Sequence, residues 1–208
     1  MRVAMSGRRR FVAPSGGVPG VIKVLDNFTD TNGTSLDAHT PDTDVEAGGW
    51  TEQAGQTEIQ TNQARPASDG VNHFSTIESG ISEVLITATV SVSQDTVNDV
   101  EGIIGRWSDA SNFWFVGITA QANLFRIFER NGGSNIERAS ASVTIGASTP
   151  YEITATFNST TITAQLDGGN EISYSSASLN QTATIHGFRA FRTGGYYAEV
   201  DTIQMETI

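Results

Sequence analysis

The sequence predicts an all-β protein: a two-sheet antiparallel β-sandwich with an extended N-terminal arm. The segment from Gly102 to Arg130 contains three short strands joined by short turns. Strands this close in sequence pair antiparallel, because a parallel return needs a crossover of about a dozen residues or more. Several other segments alternate apolar and polar residues, as half-buried strands do. No window of the 208-residue chain combines helix-forming residues with a helical apolar period.

The strands are predicted at fairly regular intervals along the chain. The segment VIKVLDNF opens the domain, and a turn-rich segment at 29–44 follows it. Alternation from Val84 to Val92 places five apolar side chains on one face, and the three-strand meander comes next. Residues 151–157 and 162–166 alternate around an Asn-Ser-Thr turn, and the DGGN turn after them predicts a hairpin. The chain closes with the strands ATIHGFRAFR and AEVDTIQME.

The first twenty residues differ from the rest. Residues 1–20 are basic and rich in Gly and Pro, whereas residues 21–208 form the predicted globular domain. We interpret 1–20 as an arm that binds a neighbouring subunit, its arginines pairing with an acidic surface. The alternative is a disordered terminus. The residues predicted to bind the partner are Arg2, Arg8, Arg9, Arg10 and Phe11.

Charge and composition argue against several functions. The net charge is −11, and from Lys23 onward eight basic residues stand against 23 acidic ones. A body this acidic is repelled by phosphate backbones, so we expect no nucleic-acid partner. No apolar run approaches the roughly 20 residues that span a membrane, and the basic N-terminus lacks the apolar region of a signal peptide. The chain has no cysteine, which excludes disulfides and thiolate metal sites.

These pieces, in this order, resemble the concanavalin A-like lectin/glucanase superfamily, especially its laminin-G-like jelly-roll branch. The resemblance covers roughly residues 22–206. It implies a jelly roll whose first and last strands lie side by side. Because the family includes sugar-binding modules, adhesion domains, glycosidases and virion components, the resemblance implies no single activity. The matching segments are Asp26-Asn27-Phe28, GIIGRWSDASNFWFVGI, YEITATFNSTTITAQLDGG, His186–Arg192 and Glu199–Met205.

The resemblance also raises glycosidase chemistry. Enzymes of this superfamily use paired carboxylates in a Glu-x-Asp-x-x-Glu strand. Here Glu199 and Asp201 match the first two acids, whereas Gln204 takes the third position. Alternation places Glu199 and Asp201 on one face, but hydrolysis needs two suitable carboxyl groups about 5–9 Å apart. The third acid is missing and the motif lies on an expected edge or closing strand, so we predict that the protein is not an enzyme.

Acidic residues of the turn-rich segment are candidate calcium ligands, since calcium takes hard oxygen ligands. They lack the spacing of a known calcium loop, and we predict no required metal or other cofactor. The three histidines, His39, His73 and His186, also lack ligand spacing and are predicted to be surface or strand residues. The candidate calcium ligands are Asp30, Asn32, Asp37, Asp42 and Asp44.

Sugar binding has candidate residues in the meander and the penultimate strand. Lectin-like grooves stack sugar rings on aromatic side chains and fix the hydroxyls with polar ones. Phe113 and Phe115 share one strand face, and Trp114 points to the other; one of these faces must be core. The alternative interpretation is that both meander tryptophans are core. The candidate glycan-binding residues are Arg106, Trp107, Trp114, Arg126 and Arg189.

We therefore predict a non-catalytic virion structural protein, a phage capsid decoration or tail component that assembles through its arm. Its predicted partners are other virion subunits, in a homo-oligomer, and its predicted location is the virion, after the host cytoplasm. This prediction rests on the basic arm and on the resemblance to jelly-roll virion proteins. The alternative is a carbohydrate-binding, lectin-like module for adhesion or receptor recognition, and a glycoside hydrolase comes third.

Overall fold

A computed structural model describes residues 20–208 of the chain. The predicted arm, with its four arginines and Phe11, lies outside the described residues except for Gly20.

Within the described range the chain forms sixteen strands and one 3-10 helix, Leu36–Ala38. None of the described residues form a helix long and apolar enough to cross a membrane. The strands are β1 Ile22–Asp26, β2 Thr43–Asp44, β3 Thr51–Ala54, β4 Thr57–Ile59, β5 Ala64–Pro66, β6 Asn72–Glu78, β7 Val84–Val92, β8 Glu101–Asp109, β9 Asn112–Thr119, β10 Leu124–Asn131, β11 Ser134–Ser142, β12 Tyr151–Asn158, β13 Thr161–Leu166, β14 Gly169–Tyr174, β15 Ile185–Thr193 and β16 Tyr196–Thr207.

The strands form two antiparallel layers. Sheet I has the order β2-β1-β16-β7-β12-β13-β14, and β5 pairs with β16 through Val200 and Ala64, with β4 beside it. Sheet II has the order β11-β10-β9-β8-β15-β6-β3. The β15–β16 hairpin joins the layers, pairing Arg192 with Tyr197 and Thr193 with Tyr196. This is the predicted jelly-roll β-sandwich.

Most of the sequence-based expectations are confirmed. The meander is β8-β9-β10, and β7 spans the predicted Val84–Val92 with strict alternation of buried and half-buried residues. The first and last strands pair, Leu25 opposite Gln204 and Asp26 opposite Ile203. One expectation is wrong: β16 is not an edge strand. It lies inside sheet I, between β1 and β7, because both sides of this 12-residue strand carry pairing partners.

The main core lies between the sheets. The five alternating apolar residues of β7 are at most 1% exposed, and they face β9 side chains such as Trp114 and Val116 across the sandwich. The residues between them, Leu85, Thr87, Thr89 and Ser91, point to the outer face of sheet I, as in an antiparallel sheet with one face in the core. Burial of this stripe provides the main driving force for stacking the layers.

Asp26 anchors the end of β1. Its side chain is fully buried and accepts hydrogen bonds from the Phe28 amide at 2.7 Å and from Trp50 Nε1 at 2.7 Å. His39 bridges two carboxylates, with Nε2 3.0 Å from Asp26 Oδ1 and Nδ1 3.0 Å from Asp30 Oδ2. Burial alone lowers the pKa of His39, but the bonds to Asp30 and Asp26 outweigh it and raise the pKa. Asp26 thereby ties the turn-rich segment to the sandwich.

Candidate functional site

The five predicted glycan-binding residues do not share one face. Trp107, Arg126 and Arg189 lie on the outer face of sheet II, as the prediction requires. Arg106 and Trp114 are fully buried on the core side, so their predicted outward placement is wrong. The alternative interpretation is correct for Trp114, which packs in the main core and donates from Nε1 to the Leu179 carbonyl at 3.0 Å.

A local irregularity of β8 turns Arg106 inward. Its φ is +54°, and the β8–β9 register shifts between Gly105 and Asp109. Both Gly105 and Arg106 therefore face Phe157 of the core: a Cβ at Gly105 would lie 2.1 Å from that ring, and the Arg106 guanidinium is 5.7 Å from its centre. Strict alternation along β8 would place Arg106 on the outer face. The irregularity is a β-bulge, and a bulge can turn a side chain to the opposite face of its sheet.

Arg106 is held inside by few polar contacts. Burial lowers its pKa, and Nη1 donates to the Ala177 carbonyl at 3.3 Å, an oxygen that also accepts from Gln181 at 3.3 Å. We expect Arg106→Met to leave the free energy of unfolding within about 1 kcal/mol of the wild type, or to raise it, because a buried charge is costly to desolvate. Urea unfolding measures this effect. A loss of more than about 3 kcal/mol, as when a well-paired buried charge loses its partner, would contradict this account.

The outer face of sheet II carries a continuous row of aromatic rings. Trp107 and Phe113 stack with centroids 4.7 Å apart, Phe113 lies 5.7 Å from Phe115, and Phe115 stacks on Phe128 at 4.9 Å with an interplanar angle of 6°. The rings come from four strands, β6, β8, β9 and β10, and the register places Phe115 opposite Phe128 and Phe74 opposite Arg189 of the intervening β15. We call it the aromatic row; its members are Phe74, Trp107, Phe113, Phe115 and Phe128.

Three arginines cover the aromatic row. The guanidinium carbons of Arg126, Arg130 and Arg189 lie 5.7, 5.9 and 5.6 Å from the centres of Phe128, Phe113 and Phe115, respectively. Such stacking uses the face of each guanidinium, so its in-plane N–H groups can still donate hydrogen bonds.

The three arginines differ in how they are held. Arg189 is anchored by Asp99, Asn72 and the Val100 carbonyl. Arg126 lies 3.3 Å from Glu137, whereas Arg130 donates to the Ala110 carbonyl at 2.7 Å.

Exposure divides this face into a covered and an accessible part. Trp107, Phe113 and Phe115 are at most 3% exposed, so they support the more exposed side chains of this face from below. Phe128, Arg126 and Arg130 are half-buried and reach the surface. Phe128, Arg130 and Phe74 were missed by the sequence prediction. Aligning the meander strands would have found Phe128 and Arg130, which stand opposite Phe115 and Phe113.

The candidate calcium ligands serve separate turns. Asp42 accepts from the Asn27 amide at 2.9 Å, and Asp44 from the Gly49 amide at 2.8 Å. Asp37 accepts from Ser35, and Asp30 from Thr31 and His39. Within residues 20–208, no group of three or more His, Asp or Glu side chains is arranged to hold a metal ion. These hydrogen bonds account for the aspartates of the segment as turn-forming residues.

The histidines are more buried than predicted. His73 and His186 lie in strands β6 and β15, as expected, but both are fully buried. His39 is neither a surface nor a strand residue, since it is 6% exposed in a loop between two carboxylates. Burial lowers the pKa of His186 to about 4, which keeps its ring neutral, and Nδ1 accepts from the Arg106 amide at 3.0 Å.

The near-match to the glycosidase motif lies away from the aromatic row. Glu199 and Asp201 share the outer face of sheet I, which confirms that they lie on one side of their strand. That face is on the opposite side of the sandwich from the arginines. Gln204, at the third position of the motif, pairs with Thr87 and donates to Glu206 at 3.1 Å.

Comparison with solved structures finds the same fold in proteins of low sequence identity. The carbohydrate binding module CBM66 from Bacillus subtilis is 14% identical with a TM-score of 0.63, over 76% of this chain and 95% of that one. The VIP36 exoplasmic/lumenal domain, in a Ca²⁺/Man-bound form, is 11% identical with a TM-score of 0.55, over 79% and 86%.

A third similar structure is part of a larger protein. The GH43 protein BlXynB from Bacillus licheniformis is 11% identical with a TM-score of 0.64; the match spans 89% of this chain but only 39% of that one. No protein-family model and no curated protein matches the sequence. The chain therefore has the concanavalin A-like jelly-roll fold, which it shares with the CBM66 module, the VIP36 exoplasmic/lumenal domain and the carbohydrate recognition domain of Emp46p.

Proposed function

We propose that this protein is a non-catalytic carbohydrate-binding module that binds a glycan across the aromatic row. The observation that carries the proposal is the arrangement on the outer face of sheet II. There, three arginines stack on the five packed rings of the aromatic row. Similarity of fold to CBM66 and to the VIP36 lectin domain supports the same class of ligand. The proposal corresponds to the alternative of the sequence analysis rather than to its first prediction.

The accessible residues have complementary roles in this proposal. The half-buried ring of Phe128 offers an apolar surface to the C–H face of a sugar, and the stacked Phe115 keeps that ring in place. Arg126 and Arg130 donate hydrogen bonds to hydroxyl or carboxylate oxygens from fixed positions. Because ring stacking and ion pairs already order these side chains, binding costs little side-chain entropy.

The near-match to a hydrolase motif takes no part in glycan binding at the aromatic row. Glu199 and Asp201 lie on sheet I, so a glycan on the aromatic row is separated from them by the whole sandwich. The GH43 match covers less than half of that protein and gives no ground for transferring its activity.

The virion role and virion location stay predictions. They rest on the arm at residues 1–20, almost all of which lies outside the described range, and none of the structures named above is a virion protein. The predicted homo-oligomer and virion partners rest on the same residues. Glycan binding and a place on a particle surface are compatible, since receptor-binding proteins combine both.

A glycan array probed with the labelled full chain, followed by calorimetry with the best ligand, tests the proposal. We expect Phe128→Ala and Arg126→Ala each to weaken binding by about tenfold or more, since a lost stacking contact or charged hydrogen bond costs about 1–2 kcal/mol. Thr163→Ala, on the outer face of sheet I, is the matched control and should bind as the wild type does.

Calcium dependence or hydrolysis would contradict parts of the proposal, and two outcomes would contradict glycan binding at the aromatic row altogether. One is an array without hits in either the presence or the absence of calcium. The other is a hit whose affinity is unchanged in both Phe128→Ala and Arg126→Ala. Binding that requires calcium would indicate that the glycan site lies at the aspartates of the turn-rich segment and not at the aromatic row. Products of hydrolysis in the same mixtures would contradict the non-catalytic assignment.

A further inference from the structure

A polar cavity lies on the outer face of sheet I, on the side of the sandwich opposite the aromatic row. Its volume is about 280 Å³. It is bounded by β7 and β16 and by the segments before β5 and β12. The residues that carry the argument are Gln63, Thr89, Ser91, Tyr197, Glu199 and Asp201.

An irregularity of β16 builds one wall of this cavity. Val200 pairs with Val90 and Thr202 pairs with the next residue, Thr89, so Asp201 has no opposite residue. Bulges of this kind redirect side chains and are frequent beside functional sites. The extra residue adds a carboxylate to the outer face, next to Glu199.

Arg65 orders the neighbouring wall. Its guanidinium carbon lies 4.8 Å from the centre of the Tyr197 ring, and Nη1 is 3.4 Å from Glu199 Oε1. Both members of this pair are largely buried, with side chains 23% and 15% exposed. Burial raises the pKa of Glu199, whereas Arg65 opposes the rise. Tyr197 and Glu199 are thus held in place before any ligand arrives.

Asp201 is available to a ligand. It is exposed, and among residues 20–208 no protein group donates a hydrogen bond to its carboxylate. Thr89 is fixed beside it by a 3.1 Å hydrogen bond from Thr202. The cavity therefore combines an aromatic ring, two carboxylates, an amide and hydroxyls from two strands and a loop.

This chemistry selects among classes of ligand. The two carboxylates repel an anion such as phosphate, and they are too few for an all-protein calcium site, which takes six to eight oxygen ligands. Vicinal hydroxyls of a sugar donate to carboxylates and exchange hydrogen bonds with Ser and Thr, while the ring packs on Tyr. Ligand pockets usually have volumes of about 300–1,000 Å³. This cavity lies near the lower end of that range, which suits one or two sugar rings.

We propose that this cavity is a second saccharide site, which takes a neutral mono- or disaccharide and makes the module bivalent. Glu199 and Asp201 accept hydrogen bonds from the sugar hydroxyls, and Tyr197 supports the ring. The site is independent of the aromatic row, because the two faces belong to different sheets. Two sites on opposite faces would allow one chain to cross-link glycans, which raises avidity without new contacts.

The test is a nitrogen-15 NMR titration of the full chain with five neutral sugars: mannose, glucose, galactose, xylose and fructose. Each is added to about 20 mM, roughly twenty times the Kd of a millimolar site. We expect at least one sugar to shift the amide signals of Ser91, Tyr197 and Glu199. The double variant Glu199→Gln/Asp201→Asn should weaken that response at least tenfold.

The control variant is Glu171→Gln, which removes an exposed carboxylate of sheet I outside the cavity and should respond as the wild type does. The substitutions at Glu199, Asp201 and Glu171 are isosteric, and unchanged melting temperatures will show that these variants are folded. Phe128→Ala should leave the cavity response intact, which separates this site from the aromatic row.

Three results would overturn the inference. The first is no shift at the cavity amides with any of the five sugars. The second is a cavity response that persists unchanged in the double variant. The third is a response confined to sheet II around Phe128, which would support the proposed function while removing the second site. A cavity response while the aromatic row proves inert would keep the cavity as a saccharide site, but it would overturn the proposed function and, with it, the bivalency.

Discussion

Replacing Asp26 by alanine is expected to lower the free energy of unfolding by about 3–5 kcal/mol, the cost of breaking a buried charged pair. The carboxylate is fully buried. Its loss would leave three donors without an acceptor: the Phe28 amide, Trp50 Nε1 and His39 Nε2. These donors lie 2, 13 and 24 residues after Asp26 in the sequence. Their shared acceptor is what fastens the turn-rich segment to β1.

Urea unfolding of Asp26→Ala, with Asp30→Ala as the matched control, measures this effect. Asp30 binds the other nitrogen of the same imidazole but is partly exposed, so its removal should cost much less than the removal of Asp26. Asp26→Asn keeps one acceptor oxygen and should fall between the two. Equal losses in Asp26→Ala and Asp30→Ala would show that burial does not make Asp26 the anchor.

Glu101 is expected to make stability depend on pH. It is fully buried in β8 and accepts a hydrogen bond from the Tyr196 hydroxyl at 3.0 Å. Burial raises its pKa from 4.5 to about 8; the charge of Arg189 opposes the rise and that of Asp99 adds to it. A raised pKa means that the folded chain holds a proton that the unfolded chain releases. The stabilisation is complete below pH 4.5 and is lost as the pH rises toward about 8.

Glu101→Gln imitates the protonated side chain and should remove this dependence. Relative to the variant, the wild type should lose stability by up to about 1.4 kcal/mol per pH unit across that window. The difference between the two unfolding curves isolates Glu101, because His39, His73 and His186 titrate identically in both. Parallel pH profiles would mean that Glu101 is ionised in the folded protein at neutral pH.

The strands were predictable because their pattern is local. Alternation in β7 and in the β12–β13 hairpin has a period of two, and short turns force antiparallel pairing in the meander. Those features need no knowledge of distant residues. The position of β16 was not predictable in this way, since pairing on both of its sides depends on β1 and β7, far along the chain.

The candidate site was predictable only in part. Arg126 and Arg189 obey alternation and lie on the outer face of sheet II. Arg106 lies at the irregularity of β8, where the register shifts after Gly105, and is turned into the core. Alternation correctly places Glu199 and Asp201 on one face, but it does not reveal the second bulge, which leaves Asp201 unpaired beside the cavity. Both bulges are backbone irregularities, which leave no clear mark on hydropathy.

The amino-acid sequence by itself determined the all-β class, the meander, the hairpins and the acidic character of the domain. Those properties follow from side-chain alternation, turn residues and charge, which act over a few residues. Only the tertiary structure decided which face of β9 is core, which arginines cover the aromatic row, and that Glu199 and Asp201 border a cavity with Tyr197. Both faces of β9 are apolar, so the choice between them depends on which sheet packs against it.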